Sequence, residues 1–266
     1  MRFGILSTSL SADLATAFRL APQAGLEGVE VMYARPVDAV ALARSNHAAE
    51  LEELAAEASV EVPSLALGCL CQKPSLIGDR KLVAESVKLV RQAVSVAAEA
   101  GARVVLVPFF GKNAIETEDE LNRAAEAILE LVEPAESAGV VLAIESTLNF
   151  NQQEFLLNCL GGSPGVKVYY DTGNLLPRKL DVPTGIRQLG GDRIAQVHVK
   201  DVRVVEGSPP DFDVPLGRGS VDLRACAEAL RAIGYDGWLI LETPPGPEPL
   251  ASAKENLAYL RELIGD

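Results

Sequence analysis

Along the chain, short runs rich in valine, isoleucine and leucine alternate with longer polar stretches in which apolar residues return every three or four positions. The short runs predict buried strands and the longer stretches amphipathic helices. Eight strands are expected: Arg2–Leu6, Gly28–Met32, Val62–Leu67, Arg103–Val107, Val140–Ile144, Val166–Tyr170, Arg193–Val197 and Trp238–Leu241. Helix punctuation separates them. Thr117 with Glu120, and Ser252 with Glu255, have the spacing of capping boxes, in which side chains satisfy amide groups orphaned at a helix start. Leu121, Ala124, Ala125, Ile128, Leu129 and Val132 follow the spacing of one buried helix face. Gly25, Gly101, Gly139 and Gly234 each stand a few residues before a strand, where a left-handed residue ends a helix.

Eight strand–helix units in 266 residues, about 33 residues each, match the size of a (β/α)8 TIM barrel of eight parallel strands. An open doubly wound sheet would fit the same alternation, but it usually carries a glycine-rich first turn, and the turn here reads Ser7-Thr8-Ser9-Leu10-Ser11. No Pro/Gly/Ser-rich linker or low-complexity stretch interrupts the pattern, so residues 1–266 are expected to form one barrel domain.

Hydrophobic residues make up 48% of the chain, enough for a large core, and the formal net charge is −13. That charge argues against a nucleic-acid or anionic-membrane partner, because such surfaces select basic patches. The first residues, MRFGILSTSL, break their apolar run too early for a signal peptide, and no stretch approaches the length of a membrane span. Cys69 and Cys71 are two apart and the other two cysteines are distant, which is neither a disulfide framework nor a zinc-ribbon spacing. A reducing cytoplasm is the expected location.

The most specific feature is chemical. Glu145, Asp171, His198 and Glu242 each stand at the carboxyl end of an expected strand, the fifth to the eighth in succession. In a closed barrel that face holds the active site, and there the four side chains can converge. One imidazole and three carboxylates suit one divalent ion such as Mn²⁺, Mg²⁺, Co²⁺ or Zn²⁺. A hard ion of this kind can chelate a carbonyl oxygen and the neighbouring hydroxyl of a sugar and stabilise the enediolate formed when the adjacent C–H proton leaves.

In these segments the chain resembles the xylose-isomerase-like sugar isomerase and epimerase barrels, which include ketose 3-epimerases and inosose-processing enzymes. The resemblance rests on Ala143-Ile144-Glu145, Tyr170-Asp171-Thr172-Gly173-Asn174, Val197-His198-Val199-Lys200-Asp201, Gly217-Arg218-Gly219 with Asp222, and Leu241-Glu242. It implies that Glu145, Asp171, His198 and Glu242 bind one divalent metal. Proton transfer needs a base on one face of the substrate and, for epimerisation, an acid on the other. Glu145 and Glu242 are assigned that work, and the resemblance points to the same pair. Two departures bear on the substrate: Asn174 stands where the family commonly has a substrate-contacting His, and Asn151 where ketose 3-epimerases tend to carry a Glu.

Further residues are candidates for the pocket. Lys200 is expected to turn toward the mouth and bind a substrate oxygen with Asp201 supporting it. Arg218, between two glycines, and Phe109 with Phe110, just beyond the fourth strand, are expected to contact substrate. Glu30 interrupts an apolar strand and so requires a partner, either in the mouth or on a neighbouring Arg. Trp238 reads as core, His47 as solvent exposed within the polar stretch Ala41–Ala56, and Ser208–Pro215 as an ordered loop able to act as a lid.

The expected activity is therefore metal-dependent isomerisation or epimerisation of a small sugar or keto-polyol. The same site would act as a lyase of the inosose-dehydratase kind if the abstracted proton lay beside a leaving hydroxyl, and a non-catalytic sugar-binding barrel is the remaining class. A three-zinc hydrolase like the apurinic endonucleases needs a His-rich cluster, and the chain has two histidines. Oligomeric state is not legible in the sequence, though relatives of this shape often form homo-oligomers.

Overall fold

The computed structural model describes residues 1–73 and 75–265. Its strands are β1 (Arg2–Leu6), β2 (Gly28–Met32), β3 (Ser64–Ala66), β4 (Val104–Phe109), β5 (Val141–Ser146), β6 (Val166–Asp171), β7 (Ile194–Val199) and β8 (Trp238–Leu241). The helices are α1 (Leu14–Leu20), α2 (His47–Ala58), α3 (Arg80–Glu99), α4 (Glu118–Ser137), α5 (Phe150–Cys159), α6 (Val182–Leu189), α7 (Leu223–Ala232) and α8 (Pro249–Ile264). The strands form a closed parallel barrel in chain order, with β8 returning to β1, as the alternation predicts. Such strands are covered on both faces and so read as continuous apolar runs rather than alternating ones; all six residues of β4 are buried.

The chain folds as two compact units, Met1–Glu30 with Ala56–Glu61 and Tyr170–Asp266, and Val31–Ala55 with Val62–Tyr169. In the first, β7 pairs with β8, β8 with β1 and β1 with β2, the register setting Val197 against Leu239, Arg2 against Trp238 and Leu6 against Glu30. In the second, pairing runs from β2 through β3, β4 and β5 to β6, with Val31 against Leu65, Ser64 against Val104, Val104 against Val141 and Leu142 against Val166.

Three strands match their expected bounds, and the others differ for local reasons. β3 is shorter than Val62–Leu67 because Pro63 has no N–H to give a ladder. β4 to β7 each end two, two, one and two residues later than the apolar pattern suggests. Glu145, Asp171 and His198 thereby lie inside their strands, and Glu242 directly follows β8. Phe109 is the last residue of β4, not a residue beyond it, and is 1% exposed.

Helix α4 starts with the expected capping box on Thr117 and Glu120. Its buried face keeps Leu121, Ala124, Ala125 and Ile128, but Leu129 turns outward and Leu131, three residues past Ile128, takes the inner place. The second expected box is absent: Glu248 stands at the N-cap position of α8 without a side-chain bond and Pro249 opens the helix, so Ser252 lies within it. Gly25, Gly101, Gly139 and Gly234 have φ between 67° and 85°, the left-handed backbone expected at these ends. Trp238 is half-buried beneath the Arg2 guanidinium, 4.0 Å from its ring centre, rather than in the core. His47 is buried, not exposed: its Nε2 lies 2.8 Å from the Tyr33 hydroxyl and its Nδ1 3.2 Å from Glu50. Among the described residues no helix is long and apolar enough to cross a membrane.

Candidate active site

The ends of β6, β7 and β8 are tied by backbone bonds that leave little freedom to the side chains they carry. Thr172 N donates to His198 O at 3.1 Å, and Glu242 N donates to Val199 O at 3.2 Å. The Thr172 hydroxyl donates to Lys200 O at 2.7 Å and accepts from Lys200 N at 2.9 Å. Alternation along β7 then puts His198 and Lys200 on one face. Gly173 lets the Lys200 stem pass, because a Cβ there would lie 2.9 Å from Lys200 Cγ.

Asp171 and His198 are buried, and the Glu242 side chain keeps 23% of its surface exposed. His198 Nδ1 lies 3.0 Å from Glu242 Oε2 and 3.9 Å from Asp171 Oδ2, while Nε2 lies 2.7 Å from Glu30 Oε1. Lys200 Nζ is 2.8 Å from Glu242 Oε2, 3.5 Å from Asp171 Oδ2 and 3.5 Å from Asn174 Oδ1. Asp171 Oδ1 is fully used, accepting from the N–H groups of Gly173 and Asn174 at 2.7 Å each.

The other carboxylate oxygens are not satisfied in the same way. Asp171 Oδ2 and Glu242 Oε2 are buried, and although both sit within ion-pair distance of Lys200, neither accepts a hydrogen bond of good geometry. Burial pushes the Asp171 carboxyl upward, with the Glu242 charge adding to it against Lys200 and His198. Burial acts upward on Glu242 too, but Lys200 and His198 outweigh it and hold that carboxyl well below its usual range.

Glu145, near the end of β5 and 5% exposed, sits opposite Pro108 in the β4–β5 register. Glu145, Asp171, His198 and Glu242 each offer one donor atom, and these atoms lie within 4.8 Å of one another. Donors on opposite sides of an ion bound at about 2.0–2.6 Å are separated by about 4–5 Å. The donor set, its spacing and the two buried oxygens without a hydrogen bond fit one divalent cation.

The structure divides the remaining candidates. Lys200 and Asn174 stand beside Asp171 and Glu242. Phe109 is buried and offers no surface of its own to a ligand, and Arg218 is exposed on its loop, its N–H bonded to Pro215 O. Asp201 does not support Lys200. Its carboxylate, 1% exposed, accepts the N–H groups of Val202, Gly217, Gly219 and Val221, which makes it the anchor of the glycine loop. A Cβ on Gly219 would collide with that carboxylate, the physical reason for the His-x-Lys-Asp and Gly-x-Gly pairing.

Two residues went unplaced or unnoticed in the sequence. Glu30 contacts His198, and Phe212 lies with its ring centre 5.7 Å from Lys200 Nζ. Phe212 belongs to the loop expected as Ser208–Pro215, which is tied down by paired backbone bonds between Arg203 and Asp211. Its only signal in the sequence is an aromatic residue between two aspartates.

A family model described as xylose isomerase-like TIM barrel matches residues 18–263. The chain is 32% identical over 235 residues to the L-ribulose-5-phosphate 3-epimerase UlaE of Salmonella paratyphi A, covering 84% of this chain and 80% of that protein. The same figures hold for UlaE of Salmonella typhimurium. Among solved structures, an L-ribulose 3-epimerase superposes with a TM-score of 0.82 at 24% identity, covering 99% of this chain and 94% of the other. An IOLI protein with a bound zinc atom superposes with a TM-score of 0.82 at 17% identity, covering 100% and 98%. At these identities the two structures speak to the fold.

Proposed function

We propose a function from one premise: this chain belongs to the xylose isomerase-like TIM-barrel family and is an enzyme. It isomerises or epimerises a small sugar or keto-polyol by moving a proton at a carbon next to a carbonyl, and it does so with one divalent metal ion. The observation that carries this reading is the group of donor atoms on Glu145, Asp171, His198 and Glu242, two of whose carboxylate oxygens are buried without a hydrogen bond. The names of the UlaE relatives support a ketose substrate.

An ion held by these four residues would polarise a substrate carbonyl and offset the charge that develops as the neighbouring proton leaves. Asp171, its Oδ1 pinned by two N–H groups, is a ligand of fixed orientation. Glu242, from the end of β8, is the group assigned to accept the proton on a carboxylate oxygen. Glu145, from a different strand, is the partner that returns a proton to the substrate carbon. Lys200 Nζ and the Asn174 amide hold substrate oxygens. Asn174 makes hydrogen bonds but does not titrate near neutral pH, so the proton traffic is assigned to the two glutamates.

The test measures exchange of deuterium from D₂O into L-ribulose, L-ribulose 5-phosphate, other ketoses and inososes, alongside the metal content of the purified protein. About one Mn, Mg, Co or Zn per chain is expected, with exchange into one substrate that falls at least about a thousandfold in Glu145→Gln and in Glu242→Gln. Absence of bound metal after loading with each ion, or exchange unchanged in both variants, would overturn the reading.

A further inference from the structure

Glu30 is the third residue of β2, between Val29 and Val31, and its side chain is 0% exposed. An isolated carboxylate in such a place is costly by several kcal/mol, so its position is dictated by what it meets. What it meets is the far side of an imidazole: Glu30 Oε1 lies 2.7 Å from His198 Nε2, across 168 residues of sequence. The two nitrogens of that ring therefore face different surroundings. Nε2 faces Glu30, while Nδ1 faces Glu242 Oε2 at 3.0 Å and Asp171 Oδ2 at 3.9 Å.

A neutral imidazole carries one N–H and one lone pair, and a carboxylate can only accept. With an ion held between Nδ1 and the Glu242 and Asp171 carboxylates, the proton belongs on Nε2 against Glu30, and the Nδ1 lone pair is the one turned to the ion. A ring of the opposite tautomer would set a lone pair against the Glu30 carboxylate and offer an N–H where a cation needs an electron pair. Glu30 is not itself a donor of the cluster, since the four converging donor atoms come from Glu145, Asp171, His198 and Glu242.

We propose that Glu30 is the positioning residue of the site: it fixes the tautomer and the orientation of His198 so that Nδ1 is presented as a metal ligand. This rests on the metal-dependent reading above for its consequence, and on the Glu30–His198 geometry alone for its structural content. Carboxylates placed behind a ligating imidazole orient the ring and raise its basicity, and their loss typically costs about 10–100-fold in metal affinity. Removing one partner of a buried ion pair is strongly destabilising, so a purely structural pair would show itself in the melting temperature and not in the ion affinity.

The experiment uses the whole chain with two substitutions, Glu30→Ala and Glu30→Gln, and two readouts other than turnover. The first is affinity for Mn²⁺ and Zn²⁺ by competition with a chelating dye. We expect a loss of about 10–100-fold in Glu30→Ala and a smaller loss in Glu30→Gln, whose amide oxygen can still accept from Nε2. The second is the ¹⁵N spectrum of the imidazoles in the ion-free protein. With two histidines in the chain, a His47→Gln variant assigns the signals, and the neutral His198 ring is expected to carry its proton on Nε2. A folded Glu30→Ala protein that binds both ions within twofold of the parent overturns the proposal, as does a neutral His198 protonated on Nδ1. If Glu30→Ala does not fold, the isosteric Glu30→Gln decides through ion affinity, and an affinity equal to the parent's for both ions overturns it. If the parent protein binds neither ion, the metal reading fails, and the ¹⁵N spectrum still decides whether Glu30 sets the tautomer.

Discussion

Replacing Asp201 by Asn changes one atom in a side chain that four backbone N–H groups surround. Oδ1 accepts from Val202 at 2.8 Å and Val221 at 3.1 Å, and Oδ2 from Gly217 at 3.0 Å and Gly219 at 2.8 Å. An Asn has a single oxygen, so whichever way its amide turns, two N–H groups face an NH₂ that also donates. Two charge-assisted bonds are lost at about 1.5–3 kcal/mol each, an upper range of about 3–6 kcal/mol. The glycine donors are only partly buried, and water can reach them once the loop relaxes, so the low end, about 3 kcal/mol, is expected. That is a large share of the ~5–15 kcal/mol that keeps a typical domain folded, yet it should leave the variant native at 25 °C. Urea unfolding followed by circular dichroism at pH 7 reads the change, with the slope of the transition kept constant as the check that only stability has moved. Trypsin should also cut faster after Arg218, which is exposed on the loop that Asp201 holds. A loss below about 1 kcal/mol at unchanged slope, with proteolysis unaltered, would refute the claim that Asp201 anchors this loop through ionic hydrogen bonds.

Lys200→Met removes a positive charge 2.8 Å from Glu242 Oε2 and 3.5 Å from Asp171 Oδ2. The variant should bind a divalent ion at least as tightly as the parent while losing at least about tenfold of its turnover, because cation repulsion disappears along with a donor to substrate; calorimetric titration showing weaker ion binding would contradict this. The cysteines should divide by reactivity. Burial pushes the thiols of Cys69 and Cys71 up to about 11 and that of Cys226 up to about 12, whereas Cys159 is exposed. At pH 8 a thiol of that kind is ionised to about one part in a thousand or less. Iodoacetamide should therefore label the native protein once, at Cys159, and mass spectrometry finding early label on Cys226 would contradict the burial.

Much of this protein was legible one segment at a time. The alternation of apolar runs with helical periods is written within windows of five to twenty residues, and hydrophobic burial follows such windows closely, so eight strands, the Thr117–Glu120 cap and the glycine helix ends were all predictable. The polar residue ending each of four runs was legible for the same reason: Glu145, Asp171, His198 and Glu242 interrupt patterns that are otherwise unbroken. Their donor atoms lie within 4.8 Å of one another.

What the sequence left open depended on partners far away along the chain. Glu30 was visibly out of place in an apolar strand, but only the pairing of the strands brings His198, 168 residues on, to it. Asp201 looked like support for its neighbour Lys200, yet its four donors come mostly from a loop sixteen to twenty residues later. His47 sits in a polar stretch and was expected in solvent; Tyr33, directly after β2, draws it inside. The strand ends carrying Phe109 and His198 ran past the apolar pattern because a backbone ladder continues wherever the neighbouring strand still offers N–H and C=O groups, whatever the side chains are. Local patterning determined which elements form and which side chains reach their carboxyl ends; the tertiary structure decided which polar group meets which, because a buried hydrogen bond is set by the closure of the whole sheet and not by the residues beside it.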